Sequence, residues 1–115
     1  MRIGPLPKRW LIHDIVYREK LPDKDSYGNP RFAEPITIKN VRFDDSTVFS
    51  RDSTSTKVLA NAVIFVDSTY STNIPEKFVE ESKITFNDKK YVIKKVVDCY
   101  YPNKNKIRHY ELEVV

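Results

Sequence analysis

Glycine and cysteine are both scarce in this sequence of 115 residues, and their scarcity excludes several kinds of site. The only glycines, Gly4 and Gly28, cannot build a phosphate-binding P-loop, a G-x-G-x-x-G dinucleotide loop or a G-x-S-x-G nucleophile elbow. Cys99 is the only cysteine, so an internal disulfide bond and a cysteine zinc cluster are excluded. We interpret Cys99 as a small strand residue, half buried in a core. We predict a protein that is not an enzyme and has no cofactor and no metal.

Long apolar runs are also missing. The longest, residues 62–66, is far shorter than the roughly 20 residues that a membrane helix needs. The first ten residues, MRIGPLPKRW, lack the apolar region of a signal peptide, so we expect no membrane contact and a location in the cytoplasm. The net charge of +4 is mildly basic, which permits weak contact with nucleic acid without requiring it.

Strand-forming residues dominate the sequence, with many β-branched side chains, seven Tyr and six Phe. Alternating apolar residues, one segment that is apolar on both faces (residues 57–67) and turn signals predict six strands: residues 10–19, 36–43, 57–67, 82–86, 90–101 and 106–115. The apolar face switches sides at Lys39-Asn40, which predicts a β-bulge or a bend. We therefore predict one all-β domain over residues 1–115, a small antiparallel β-barrel or sandwich, with residues 75–81 as the best candidate for a short helix. Pro5 and Pro7 predict an extended N-terminal arm over residues 1–8.

A long polar segment, DDSTVFSRDSTST, occupies residues 44–56. Structureless loops of this length are uncommon in compact domains and are usually functional or disordered. We interpret the segment as a loop that protrudes from one end of the barrel, with Val48 and Phe49 as an apolar contact for a partner and Arg51 keeping the loop soluble. The alternative is that Phe49 packs back on the barrel.

Residues 23–34, DKDSYGNPRFAE, come close to the pattern of a calcium-binding EF-hand loop. Four residues match, at positions 1, 3, 6 and 12 of that pattern: Asp23, Asp25, Gly28 and Glu34. Against calcium, Tyr27 at position 5 offers no carboxylate or amide, and no helices flank the loop. A Gly-Asn-Pro turn that links two strands explains the same residues, and we favour the turn.

Lysines lie beside tyrosines in the last two predicted hairpins. Both histidines of the sequence lie in predicted strands. The pairs Lys94-Lys95 and Tyr100-Tyr101 are the residues that a platform for single-stranded nucleic acid would use. Acidic residues among them favour instead a solvated face with lysines guarding the strands. We interpret His13 as a structural histidine, because one isolated histidine is weak support for catalysis.

The order of these segments resembles the minor capsid proteins of tailed bacteriophages of Gram-positive hosts. The resemblance runs from Ile3 to Val97 and depends on the ordered set, since no single motif is specific. The residues that carry it are Pro5, Pro7, Leu11, His13, Tyr17, Asp25, Gly28, Ile38, Asn40, Val41, Arg42, Asp67, Ser68 and the SKITFNDKKYVI hairpin.

This resemblance implies a head-closure, or stopper, protein: a small β-barrel in the virion, at the head-tail interface, assembled in the host cytoplasm. A ring of six or twelve copies would lie under the portal and adaptor proteins, retain the packaged double-stranded DNA and offer a docking surface for the tail-completion protein. Exposed strand edges and the N-terminal arm would suit strand addition to a neighbour. The alternative function is a small nucleic-acid-binding β-barrel that uses Lys94, Lys95, Tyr100 and Tyr101.

Overall fold

The computed structural model describes residues 4–45, 48–49 and 58–115, and for residues 48–49, 58 and 59 it describes the backbone alone. Six antiparallel strands close into a barrel, so of the two predicted architectures the barrel is confirmed. In chain order these strands are β1 (His13–Arg18), β4 (Ile36–Asp44), β7 (Ala62–Asp67), β8 (Lys83–Phe86), β9 (Lys89–Tyr100) and β10 (Ile107–Val114). Two short ladders lie outside the barrel: β2 (Lys20–Lys24) with β3 (Pro30–Phe32), and β5 (Val48–Phe49) with β6 (Val58–Ala60).

Around the barrel the strands follow the order β1-β4-β7-β10-β9-β8, and β8 pairs again with β1. The connections β1–β4, β7–β8 and β9–β10 therefore lie at one end of the barrel. The connections β4–β7 and β8–β9 lie at the other end, together with the residues that precede β1. We call the first the crossover end, because the β7–β8 connection crosses it, and the second the hairpin end, because the β5–β6 ladder emerges there.

Register shifts interrupt the pairing of the barrel strands on β4, β9 and β10. On β4 the bulge falls at Lys39-Asn40, as predicted, and Asn40 has a φ of 59°. On β9 the register shifts at Lys94-Lys95. Successive side chains of a strand point to opposite faces, so the extra residue of the bulge allows both consecutive lysines to face the outside of the barrel. Both lysines are exposed.

The predicted turn between β8 and β9 is confirmed. It consists of Asn87 and Asp88, whose φ angles are 49° and 64°, and two consecutive positive φ values define the type I′ turn that fits the twist of a hairpin. The Gly-Asn-Pro turn between β2 and β3 is confirmed as well. Asp25 Oδ1 accepts hydrogen bonds from the backbone N–H groups of Tyr27 and Asn29, both at 2.9 Å.

The helix expected at residues 75–81 is wrong: this segment is not helical. An isolated helix of seven residues is marginal, and burial of an aromatic ring decides the conformation instead. Phe78 is 3% exposed and lies edge-on to Tyr17 of β1 and Tyr110 of β10, both at 5.2 Å between ring centroids. Because β1 and β10 are on opposite sides of the barrel, Phe78 closes the crossover end. The backbone N–H of Val79 donates to the Tyr17 hydroxyl at 3.0 Å.

The core is built from the inward faces of all six barrel strands. Its fully buried members include Ile15, Ile38, Ile64, Ile84, Ile93 and Leu112. At the hairpin end the core finishes in an aromatic group, in which Phe43 and Phe86 stack at 4.2 Å and Tyr91 lies 5.2 Å from Phe43. The described residues contain no helix long and apolar enough to cross a membrane.

Candidate assembly surface

An apolar groove of about 290 Å³ lies between the N-terminal segment and the outer face of β4 and β7. The residues that line it are Leu6, Trp10, Leu11, Arg42, Asp44 and Phe65. Leu6 and Leu11 are buried, whereas Trp10 is 49% exposed and its neighbour Ile12 is 66% exposed. We call the groove, together with Ile12, the Trp10 groove.

The local sequence explains why the N-terminal segment stays on the barrel. In Pro5-Leu6-Pro7 the only backbone N–H belongs to Leu6, because proline has none. That N–H donates to the buried carboxylate of Asp67 at 2.9 Å, and the Arg108 side chain donates to the Gly4 carbonyl at 2.9 Å. Residues 4–7 are thus attached at two points, and Leu6 is held over the outside of β7.

A single turn of 3₁₀ helix, Lys8–Trp10, then places the tryptophan. The Trp10 N–H donates to the Pro7 carbonyl and the Leu11 N–H to the Lys8 carbonyl, both at 3.0 Å. This turn buries Leu11 and leaves the Trp10 ring at the edge of the groove, with the Arg9 guanidinium 5.9 Å from its centroid.

Asp67 is the polar residue on which this arrangement depends. It is fully buried, and besides Leu6 it accepts the backbone N–H groups of Thr69 and Tyr70 at its second oxygen, both at 2.9 Å. The same turn contacts the β4 bulge, because the Ser71 hydroxyl donates to the Asn40 carbonyl at 2.6 Å. The bulge that the sequence predicts is therefore a docking point for the turn after β7.

The chemistry of the Trp10 groove suits binding to another protein surface. Scattered exposed apolar residues are normal in soluble proteins, but here Trp10 and Ile12 adjoin a concave apolar surface. Tryptophan is among the residues most enriched at the energetic centres of interfaces. Arg42 and Asp44 at the edge supply opposite charges that can orient a partner.

A comparison with protein families identifies the chain. The family model described as "Minor capsid protein" matches residues 7–114, nearly the whole length. The chain belongs to this phage minor capsid protein family. No curated protein and no solved structure matches it. Membership of a structural capsid family indicates a role in the virion and favours a non-enzymatic protein.

The predicted contact loop of this minor capsid protein is described only in part. Val48 and Phe49 form the two-residue strand β5, which pairs with Val58–Ala60, whereas Arg51 lies outside the described residues. Four residues of extended chain span at most about 14 Å, so Val48 lies within that distance of Asp44 at the edge of the Trp10 groove. The Asp44 edge of the groove therefore lies at the same end of the barrel as the β5–β6 ladder.

The residues predicted to contact nucleic acid do not form one platform. Lys94 and Tyr100 are six residues apart on β9, which separates them by roughly 20 Å. Lys94 lies 3.3 Å from both carboxylate oxygens of Glu81, and Lys95 is exposed. Tyr101 is only 6% exposed and its ring is covered by Lys104, while Tyr100 is 55% exposed. Nucleic-acid binding stays a prediction, without support from this arrangement.

His13 has a structural contact of the kind expected for it. Its Nδ1 accepts the backbone N–H of Phe43 at 3.0 Å, and its ring lies edge-on to Phe86 at 5.1 Å. An accepting Nδ1 requires a neutral imidazole. Burial and the nearby Arg42 lower the pKa of His13 below its ordinary value, while Asp14 opposes the shift.

Sequence reasoning missed two features of this minor capsid protein. The first is the Trp10 groove, for which the alternation of Trp10, Ile12 and Asp14 on the outer face of the first strand was an available signal. The second is a group of three side chains on the outside of the barrel, Cys99, His109 and Glu111. Cys99 donates to Glu111 Oε2 at 3.0 Å, and burial, then this hydrogen bond, raises the pKa of its thiol to about 12.

Proposed function

We propose that this minor capsid protein is a head-tail connector component of the head-closure, or stopper, type. Several copies, six or twelve, form a ring below the portal and adaptor, retain the packaged double-stranded DNA and provide the docking surface for the tail-completion protein. The observation that carries the proposal is the family match over residues 7–114. The small closed barrel with a ladder emerging from one end is compatible with a subunit of such a ring.

We further propose that the Trp10 groove is one of the surfaces between neighbouring copies. A ring uses heterologous contacts, in which each subunit offers two different surfaces. The six barrel strands each pair on both sides, which limits strand addition to the stretches that lack a second partner, among them residues 94–100 of β9, which pair with β10 but not with β8. Side-chain burial can supply the contact, and Trp10 and Ile12 are exposed apolar residues available for it.

The function can be tested in the phage that encodes the protein. Capsids assembled without this protein should package DNA but lose it, and should remain without tails. Purified protein added to those capsids should restore DNA retention and tail attachment. Virions with attached tails and stable DNA in the absence of the protein would contradict the proposal.

The groove is tested by a matched pair of variants. The double variant Trp10→Ala, Ile12→Ala should fold, since both side chains are exposed, but should fail to assemble with portal–adaptor complexes in electron micrographs. The control Tyr27→Ala removes an aromatic residue that is 89% exposed at the crossover end, and should assemble normally. Equal assembly of both would show that the ring uses another surface while leaving the connector role intact.

The segment that the sequence predicts to protrude, residues 44–56, provides a third variant. Residues 45–54 lie outside the six barrel strands, so their deletion should leave the stability of the barrel nearly unchanged. The deleted protein should nevertheless impair DNA retention or tail attachment. Loss of folding would show instead that Val48-Phe49 contributes to the core.

A further inference from the structure

The Cys99, His109 and Glu111 side chains converge on the outer face of the β9–β10 hairpin. We call them the Cys99 cluster. Their sulfur, imidazole nitrogen and carboxylate oxygen all lie within 4.8 Å of one another. Glu111 Oε2 is the point of convergence, 3.0 Å from Cys99 Sγ and 3.3 Å from His109 Nε2.

Strand register brings these residues together. Cys99 of β9 lies directly opposite His109 of β10, and Glu111 follows two residues later on the same face of β10. Backbone pairing thereby fixes the positions of Cys99 and His109, while Glu111 has a longer and more flexible side chain. The His109 side chain is 11% exposed and the Glu111 side chain is 34% exposed, so the cluster is enclosed on the barrel side and open to solvent past the carboxylate.

The cluster is not fully satisfied by its own hydrogen bonds. His109 Nδ1 is buried without a hydrogen-bond partner among the described residues. If Nε2 carries the proton, it donates to Glu111 and Nδ1 is a buried acceptor without a donor. If Nδ1 carries the proton, the Nε2 lone pair faces a carboxylate oxygen. Both tautomers carry an electrostatic cost. A cation between Nε2 and the carboxylate would remove the repulsion in the second tautomer, in which the buried N–H at Nδ1 still has no acceptor among the described residues.

We propose that the Cys99 cluster is a binding site for a divalent transition metal, with Zn²⁺ as the best match. Thiolate, imidazole and carboxylate are the three kinds of side chain that bind zinc, whereas magnesium and calcium prefer oxygen alone. Tetrahedral zinc places its ligand atoms about 3.4–3.6 Å apart, given metal-ligand bonds of about 2.0–2.3 Å. The separations of 3.0 Å and 3.3 Å need to open only slightly, which movement of the Glu111 side chain can provide. The third separation, between Cys99 and His109, is within 4.8 Å and has to shorten through rotation of those two side chains.

The site supplies three ligands from the protein and leaves the fourth position to water. A metal held there would join β9 to β10 beside the connection at residues 101–106, which lies at the crossover end. We therefore assign the metal a structural role, as a clamp on the last hairpin.

The test uses the purified full-length protein, stripped of metal with a chelator and titrated with ZnCl₂ or CoCl₂. One Co²⁺ per chain should bind and produce thiolate-to-cobalt charge-transfer absorption, which requires direct contact with Cys99 Sγ. Zinc at one hundred times its dissociation constant should raise the melting temperature by roughly 10 °C for a domain of this size. MgCl₂ at the same concentration should do neither.

Matched variants decide whether these three residues hold the ion. Cys99→Ser should abolish the charge-transfer absorption, and Glu111→Gln should weaken zinc binding at least about tenfold. The control Glu113→Gln changes the next acidic residue on the same face of β10 and should bind zinc normally. Glu111→Gln retains the buried thiol and imidazole, so it gives an answer even if Cys99→Ser does not fold.

Three results would overturn the proposal. The first is the absence of charge-transfer absorption with cobalt. The second is zinc binding that Glu111→Gln leaves unchanged, since the ion would then bind elsewhere. The third is an equal loss in Glu113→Gln, which would indicate nonspecific attraction to surface carboxylates.

Discussion

Replacing Asp67 by asparagine should destabilise the protein strongly, although the two side chains have nearly the same shape. The carboxylate accepts hydrogen bonds at both oxygens, from Leu6 at one and from Thr69 and Tyr70 at the other, all at 2.9 Å. An amide has one oxygen, so either orientation of the asparagine side chain would direct its NH₂ group at a backbone N–H. The better orientation keeps the two bonds of the turn and leaves the N–H of Leu6 without an acceptor.

The magnitude follows from the bonds lost. A hydrogen bond to a charged group contributes about 1.5–3 kcal/mol, and the remaining two bonds weaken when the acceptor becomes neutral. Relief of the buried charge offsets part of this, and we expect Asp67→Asn to cost about 2–4 kcal/mol. Asp67→Ala, which removes every acceptor, should cost more. Asp14→Asn changes an exposed aspartate and should stay within about 0.5 kcal/mol of the unchanged protein.

Urea unfolding followed by circular dichroism measures these differences, and Asp67→Asn should lower the midpoint by about 1–2 M. A double-mutant cycle tests whether the lost hydrogen bond to Leu6 causes this destabilisation. In a protein that lacks residues 1–6, Leu6 no longer donates, so Asp67→Asn should cost about 1–2 kcal/mol less than in the full chain. A cost for Asp67→Asn equal to that of Asp14→Asn, or no coupling to the truncation, would refute the reasoning.

Two further predictions concern the two ends of the barrel. Phe78→Ala should lower the free energy of unfolding by about 3–5 kcal/mol in the same urea assay, because it empties the crossover end, and Phe32→Ala on β3, outside the barrel, should cost clearly less. His13 has a folded-state pKa below its ordinary 6.5, so its contribution is complete above that pH and is lost as the pH falls and the unfolded chain binds the proton first. The oxygen of His13→Asn can accept the Phe43 N–H without titrating. This variant should therefore lose less stability than the unchanged protein between about pH 7.5 and 5.5, a range centred near the ordinary pKa of histidine. Equal losses of stability in the two proteins would contradict this assignment.

The barrel strands could be predicted because each carries a local signal. Alternation, one run that is apolar on both faces and turn signals identified all six, although residues 58–60 of the predicted strand 57–67 form β6 of a separate ladder. The change of face at Lys39-Asn40 located the β4 bulge to the residue. The Asn87-Asp88 turn has side chains that tolerate positive φ, which local sequence also shows. The helix predicted at residues 75–81 is wrong because contacts with distant residues, and not local sequence, decide the conformation there. Proline and glutamates favour a helix locally, but Phe78 is held by Tyr17 and Tyr110, which are far from it in the chain.

The candidate sites were harder to predict because they depend on pairing between distant segments. Nothing near Leu6 in the sequence indicates that its N–H meets Asp67, 61 residues later. Cys99 and His109 fall opposite each other only in one register of the β9–β10 hairpin, and a slip by one residue would separate them to opposite faces. Composition could identify one cysteine and two histidines, but not which of them meet.

Closure of the barrel also restricts how copies of this protein can associate. Strand addition needs a free edge, and among the described residues such edges include the two short ladders, β2–β3 and β5–β6, and residues 94–100 of β9, which pair with β10 alone. The β5–β6 ladder pairs two residues with three, which offers few backbone hydrogen bonds to a neighbour. Burial of the exposed Trp10 and Ile12 side chains is worth about 1.5–3 kcal/mol for each large apolar residue. An assembly that buries the Trp10 groove can therefore gain stability from side chains as well as from strand edges, and the Trp10→Ala, Ile12→Ala variant tests the side-chain contribution directly.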